Sequence, residues 1–459
     1  MAQEITIPLW LFAIILLFAA ITFASHFLFP SVRWFFRRRL ERAVARLNQR
    51  LERPIQPFKL ARRHDTIQRL IYDPQVGRAV QAHARREGIP EAVAFEQAKR
   101  YAREIVPSFS AFAYFGLAIR VARFLSNMFY EVRLNHTAPE EVHGIDPDAT
   151  VVFVMNHRSN MDYVLVTYLA ARQSALSYAV GEWARVWPLS RLIRAMGAYF
   201  IRRKSRNDLY RHVLSCYVRQ ATEAGVTQAI FPEGGLSLSG GLGPPKLGLL
   251  KYMIAGATNE NRDVVFVPVA LNYDRVLEDS ILTDAASRPD RRFRARIGVV
   301  TRWMLKQLWQ RLRGRSHQFG LAAVQFGVPL SLDRFRAETG SDFINPLADE
   351  LMARIGQVVP ILPVPAIAWM LTRHQSLTPD EIEAQYRRLS GAAEGGDTSA
   401  FVTAALRQLQ GRGLVEMSGD TVRASGDRPQ LLQYYAASIS HLLPGDAAGA
   451  KENSAPAGS

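Results

Sequence analysis

The sequence predicts an α/β protein in which a central sheet is flanked by helices. Three observations carry that expectation. Short β-branched runs recur, chiefly at 150–155 and 264–273. Helical stretches such as 208–225 separate them, and turns bearing Gly and Pro join one element to the next. The single cysteine, Cys216, lies in an apolar helical stretch and reads as core packing, so no disulfide framework is expected.

Taken in order, the chain begins with a segment that carries no Asp, Glu, Lys or Arg from Ile5 to Val32. A helix of that length, rising about 1.5 Å per residue, is long enough for the ~30 Å hydrocarbon core, so 1–32 is expected to be a transmembrane helix. Residues 33–53 form a basic juxtamembrane helix, with Arg33, Arg37, Arg38, Arg39, Arg42, Arg46, Arg50 and Arg53 against Glu41 and Glu52. The positive-inside rule then predicts a single-pass protein of the inner (cell) membrane whose main body lies on the cytoplasmic side. No Ala-x-Ala-like site precedes the arginines, which argues against a cleaved signal peptide.

Apolar residues three and four apart in 76–84 and 95–105 make 54–141 a helical lead-in. Within it, 108–130 reads as a core helix or as one lying at the bilayer surface. The α/β domain follows at 142–332, with 325–329 as its last strand. In the extension 333–390, Pro360, Pro363 and Pro365 are expected to interrupt any helix in the apolar stretch 358–371. After a linker at 391–397, 391–444 is a small C-terminal helical unit with helices at 400–413 and 431–443. The tail 445–459 is rich in Ala, Gly, Ser and Pro and should be disordered.

The chemistry concentrates where the strand 150–155 ends on His157, with Asp162 five residues on. A turn between strand and helix brings the carboxylate back to the imidazole. There it fixes the tautomer and leaves the second ring nitrogen free to take a proton. Three further segments follow. Gly197 to Lys204 delivers Arg202, Arg203 and Lys204 to the end of a short strand, and guanidinium groups bind phosphate oxygens in a fork. Gln228 to Gly240 runs from a strand into Pro232, Glu233, Gly234 and Gly235, a turn that exposes backbone N–H groups to an oxyanion or a phosphate. Lys246 opens the next helix and adds a charge. The buried strand 264–273, with Pro268, closes the series.

These four segments, in order, resemble the four blocks of the glycerolipid acyltransferases, most closely the glycerol-3-phosphate and dihydroxyacetone-phosphate acyltransferase branch. His157 and Asp162 match that family's His-x4-Asp, and Gly197 to Arg203 its second block. Phe231 to Gly235 matches the Phe-x-Glu-Gly core of the third, and Val267 to Tyr273 the fourth. The resemblance implies a mixed central sheet, no metal or bound cofactor, and acyl-CoA or acyl carrier protein as the co-substrate. It implies His157 as the base that deprotonates the sn-1 hydroxyl of glycerol 3-phosphate in phospholipid biosynthesis. The arginines and Lys246 would hold the acceptor's phosphate. Backbone N–H groups of Gly234 and Gly235 would meet the developing oxyanion, and Glu233 would either bind the acceptor glycerol or pin the loop. One departure stands out: Leu236, Leu238 and Gly241 occupy positions where this branch carries basic residues. A lysophosphatidic acid acceptor is therefore the alternative.

Other classes fit less well. Gly235-Leu-Ser237-Leu-Ser239 misses the nucleophile elbow Gly-x-Ser-x-Gly at its last position, against a serine hydrolase. His64-Asp65 has no metal-ligand spacing around it, and no P-loop or dinucleotide fingerprint is present. The formal charge of +16 calls for anionic partners. With arginines beside an apolar span and no nucleic-acid module, anionic membrane lipid is expected rather than nucleic acid. A non-catalytic anionic-lipid-binding membrane protein is the non-enzyme alternative.

Overall fold

A computed structural model describes residues 8–137, 139–169, 174–181, 189–202, 207–257, 262–288, 319–391 and 398–443, with the backbone alone at 20–37, 40, 169 and 189. It divides into two units, Met1–Pro54 and Ile55–Ser459. The first contains one continuous helix, Leu9–Asn48, which overlaps the expected span 1–32 and basic segment 33–53; residues 1–7 lie outside the described residues and 49–53 form turns and bends. Leu9, Trp10, Phe12, Ile15 and Phe18 are all exposed on it. Among the described residues no helix is long and apolar enough to cross a membrane.

The second unit is built on a mixed sheet. Its strands are β1 (Glu131–His136), β2 (Thr150–Met155), β3 (Ser177–Gly181), β4 (Tyr199–Ile201), β5 (Gln228–Ile230), β6 (Val264–Tyr273), β7 (Leu321–Phe326) and β8 (Leu330–Ser331). The spatial order is β1-β7-β6-β2-β5-β3-β4, with β8 on β6. β4, β3, β5, β2 and β6 run parallel, and β7 and β8 are antiparallel to β6. Every residue of β2 and of β6 is buried, as expected of strands covered on both faces. Pro268 is tolerated inside β6 because it lies where that edge changes partner, from β8 at Val265 and Phe266 to β7 at Val269. Residues 54–129 carry helices, but 131–136 form β1, so the sheet begins inside the expected lead-in.

Helices pack on this sheet through apolar faces, and their ends are specified locally. Asp73 caps Pro74–Glu87 by accepting from Gln75 N–H at 2.9 Å, and Gly88 ends that helix in a left-handed conformation. The same Asp73 carboxylate receives Arg219 and Gln220 from the helix Asp208–Glu223, locking two helices together. Residues 112–129 form a π-helical turn and then an α-helix. Tyr114, Ala118, Ala122 and Phe129 are buried there, while Phe112, Leu117, Val121 and Phe124 are exposed on the opposite side.

Two expectations for the C-terminal part require correction. Pro360 lies in the break between Ile344–Gln357 and the next helix, but Pro363 and Pro365 interrupt nothing: they sit in the first turn of Pro363–Leu371, where the missing N–H groups have no intrahelical acceptor to lose. Five of that helix's residues, including Val364 and Ile367, are completely buried beneath the C-terminal segment. Nor is the C-terminal part purely helical. A hairpin, β9 (Val415–Ser418) and β10 (Thr421–Ala424), turns at Gly419 with φ +60° between the helices Thr398–Gly411 and Pro429–Ala437. The segment also joins the main core: Tyr435 donates to Asp279 and accepts from Val276 N–H, and Asn272 of β6 donates to Pro360 O.

Asp274 ties these layers together. It accepts from Leu321 N–H at 2.8 Å and Val364 N–H at 2.9 Å, and burial pushes its carboxyl up to about 7. A carboxyl raised in this way contributes stability that is complete below its ordinary value and is lost as pH rises through about 7. Asp274→Asn, which cannot titrate, is expected to lose on the order of 3 kcal/mol less than the parent between pH 4 and pH 8. Urea denaturation of both proteins across that range measures the difference in slope.

Candidate active site

β2, β5 and β6 are adjacent and parallel, so their carboxyl ends converge, and in open α/β sheets that edge is where ligands bind. β2 ends on Asn156, whose side chain grips the backbone of β6 by donating to Leu271 O and accepting from Leu271 N–H. The next residue, His157, is thereby held at a strand end. The turn back is short because Asp162 opens the helix Met161–Leu169.

The Asp162 carboxylate is saturated. Oδ2 meets His157 Nδ1 at 2.9 Å and accepts from the N–H groups of Arg158 and Ser159 at 2.7 and 3.0 Å. Oδ1 accepts from the Tyr273 hydroxyl at 2.6 Å. The pair is almost completely enclosed, with side-chain exposure of 2% for His157 and 0% for Asp162. The imidazole stacks on Phe231, ring centres 4.1 Å apart, and meets the edge of Tyr163. Nδ1 is therefore the protonated nitrogen facing the carboxylate. Nε2 makes no hydrogen bond among the described residues and is available to accept a proton.

The loop after β5 is hung from the same residue. Glu233 Oε1 accepts from His157 N–H at 3.0 Å, and Oε2 from Gly243 N–H at 2.9 Å. Burial raises the Glu233 carboxyl, and those two N–H bonds pull it part of the way back. Of the two roles open for Glu233 in the sequence, this geometry is that of a loop pin. Ser237 N–H also donates to His157 O. Leu236 and Leu238, in place of basic residues, pack against the hydrophobic core.

The two glycines do different work. Gly234 has φ +67° and its N–H donates to Phe231 O, so it is spent on the turn. Of the two expected oxyanion donors, this leaves Gly235 N–H, which makes no hydrogen bond among the described residues. A Cβ on Gly234 would lie 2.7 Å from Lys246 Cδ. Gly234→Ala is thus expected to cost about 1–3 kcal/mol through backbone strain and to push the lysine aside. Thermal unfolding together with the KM of a phosphorylated acceptor checks both effects.

Lys246 caps the helix Leu247–Ile254 and borders a cavity of about 250 Å³ with Arg202, Tyr210, Phe231 and Gly234. Arg202 is less free than the sequence implies. Its Nε and Nη2 fork is already bonded to Glu104 at 2.8 and 2.7 Å, between the rings of Tyr101 and Tyr210. Glu104 lies 98 positions away, so no local pattern revealed the pairing. Arg203, Lys204 and Arg206 lie outside the described residues. Tyr273, Glu278 and Arg158 are contributors that sequence reasoning passed over. Glu278 accepts from the Ser159 hydroxyl and both Asn160 donors, bracing the turn between His157 and Asp162. The Tyr273 hydroxyl was concealed at the end of an apolar strand.

The acyltransferase family model matches residues 132–272, and that of the glycerol-3-phosphate acyltransferase C-terminal region matches 302–450. Curated proteins named glycerol-3-phosphate acyltransferase are similar. One from Pseudomonas entomophila is 29% identical over 70% of this chain and 40% of its own length, and one from Aeromonas hydrophila 30% over 71% and 42%. One from Xylella fastidiosa is 25% identical over 89% of this chain and 50% of its own. The chain spans about 40–50% of the length of these curated relatives. Among solved structures, the 1-acyl-sn-glycerophosphate (LPA) acyltransferase from Thermotoga maritima aligns with a TM-score of 0.33 at 17% identity, covering 52% of this chain and 76% of that one. That likeness is too distant to inform the site.

Proposed function

The chain belongs to the acyltransferase family, and from that premise we propose that it transfers a fatty acyl group from acyl-CoA or acyl carrier protein to the sn-1 hydroxyl of glycerol 3-phosphate. The observation that carries this reading is the enclosed His157–Asp162 pair, with Nδ1 engaged and Nε2 open, beside a glycine turn and a lysine-bordered cavity.

His157 Nε2 removes the proton as the acceptor hydroxyl attacks the thioester carbonyl, and Asp162 stabilises the imidazolium formed. Gly235 N–H faces the charge that develops on the carbonyl oxygen. When the intermediate collapses, the C–S bond breaks and the departing thiolate takes the proton from Nε2. The products are an ester and a free thiol, and the base is restored. Lys246, with the arginines at the end of β4, attracts the acceptor's phosphate.

We also read Leu9–Asn48 as a membrane anchor. Its first turns expose apolar side chains all round, which suits lipid rather than water. By the positive-inside rule, the arginines that follow favour the cytoplasmic surface for the acyltransferase unit. The exposed Phe112, Leu117, Val121 and Phe124 supply a second apolar contact for that surface.

The deciding experiment offers labelled acyl-CoA and acyl carrier protein to the lipid-reconstituted full chain with glycerol 3-phosphate, dihydroxyacetone phosphate or lysophosphatidic acid. Transfer to glycerol 3-phosphate is expected. Transfer to the lysolipid alone would reassign the acceptor, and transfer to none would remove the enzymatic reading. Flotation with anionic vesicles, before and after deletion of residues 1–32, tests the anchor.

A further inference from the structure

We infer that Arg158 and Tyr434 form a buried receptor for a phosphate oxyanion, distinct from the Lys246 cavity and one residue from the catalytic base. Arg158 is 3% exposed and Tyr434 1%. The guanidinium Nε and Nη2 and the tyrosine hydroxyl are all buried without a hydrogen bond among the described residues. The guanidinium lies 5.1 Å from the centre of the Tyr434 ring. The ring face meets the charge, but the two buried N–H groups lack acceptors, which a bound anion supplies.

The surroundings explain why no protein group fills that role. Each nearby carboxylate is already committed. Asp162 serves His157, two backbone N–H groups and Tyr273, and Glu233 serves the His157 and Gly243 N–H groups. Glu278 serves Ser159 and Asn160, and Asp279 serves Arg412 and Tyr435. The Arg158 backbone is anchored by its own N–H to Asp162. Tyr434 is equally fixed, because Gly240 abuts its carbonyl so closely that no Cβ fits there.

The unbonded Nε and Nη2 fork suits two oxygens of a phosphate, and the ring on which the guanidinium lies carries a further unbonded donor, the Tyr434 hydroxyl. Burial keeps that hydroxyl protonated. Both substrates of the proposed reaction carry phosphate: a phosphomonoester on the acceptor, and phosphoesters on the pantetheine arm of the donor. The assignment of the phosphate to a substrate therefore rests on the acyl-transfer reading. It also gives the C-terminal region, matched over 302–450, a chemical role through Tyr434.

Titration of the full chain with inorganic phosphate, followed by calorimetry and thermal unfolding, tests the receptor without requiring turnover. In phosphate-free buffer Arg158→Met is expected to be at least as stable as the parent, since it removes buried N–H groups that lack acceptors. Phosphate should raise the Tm of the parent more than that of this variant, whose remaining response belongs to the Lys246 cavity, and in a Lys246→Ala background its Kd should rise at least tenfold on Arg158→Met and severalfold on Tyr434→Phe. Arg158→Lys keeps the charge and loses the fork, so it should also weaken binding if Arg158→Met fails to fold. A tenfold rise in KM for glycerol 3-phosphate alone assigns the site to the acceptor, and one for acyl-CoA alone to the donor. An affinity that none of the three substitutions changes in the Lys246→Ala background, or loss of all phosphate binding in Lys246→Ala alone, would overturn the inference. A parent that transfers no acyl group would sink the proposed reaction, while the phosphate titration would still decide this site.

Discussion

His157→Ala is expected to lower kcat for acyl transfer by about 10²–10⁴-fold, the range a positioned general base contributes, while the protein remains folded. The argument is geometric. Asp162 holds Nδ1 at 2.9 Å, so the imidazole presents only Nε2 to a substrate. Removing the ring deletes proton transfer, but it leaves His157 N–H bonded to Glu233 and His157 O bonded to Ser237 N–H. The loop scaffold should therefore survive, and KM for either substrate should change little. Steady-state kinetics with circular dichroism as the control for folding measure this, and unchanged kcat would remove His157 from the mechanism.

Asp162→Ala is expected to act on stability as well as rate. It strips an acceptor from His157 Nδ1, the Arg158 and Ser159 N–H groups and the Tyr273 hydroxyl, all in a site closed to water. Stranding buried donors around a lost charge typically costs about 3–5 kcal/mol. Burial already makes it harder for the Tyr273 hydroxyl to ionise, so it has no alternative but to remain an unsatisfied donor. Asp162→Asn preserves the shape but presents an amide N–H to one group of donors. Its stability should fall less, and kcat by up to about 10⁴-fold, because the imidazole loses both its tautomer and its counter-charge. Chemical denaturation and kcat on both variants separate the roles. Equal stability of the parent and Asp162→Ala would mean that the donors find other partners.

The contrast between these two residues shows what was legible in the chain. His157 and Asp162 could be read from spacing alone, since a strand, a short turn and a helix bring them together whatever the rest of the fold does. The same holds for the Gly234 turn and for the short strand β4. Arg202 was placed correctly at the end of β4, yet its fork faces Glu104 on the helix Glu91–Ile105. The expectation that Pro363 and Pro365 interrupt a helix failed because the cost of proline depends on position, and the first turn has no hydrogen bond to forfeit. The hairpin β9–β10 was missed because the segment is short and mostly exposed, with little alternation to mark it.

By itself the sequence determined the α/β class, the order of the four chemical segments and the meeting of His157 with Asp162, since each depends on dihedral preferences and apolar periods within a few residues. Only the tertiary structure decided which groups complete the site. Tyr273 reaches Asp162 across 111 positions, Glu233 reaches His157 across 76, and Tyr434 covers Arg158 from the far end of the chain. Such partners meet because the sheet places β2 between β5 and β6 and the C-terminal helices close over that edge. Hydrogen bonds between buried groups constrain distance and direction in space, and no spacing along the chain encodes those.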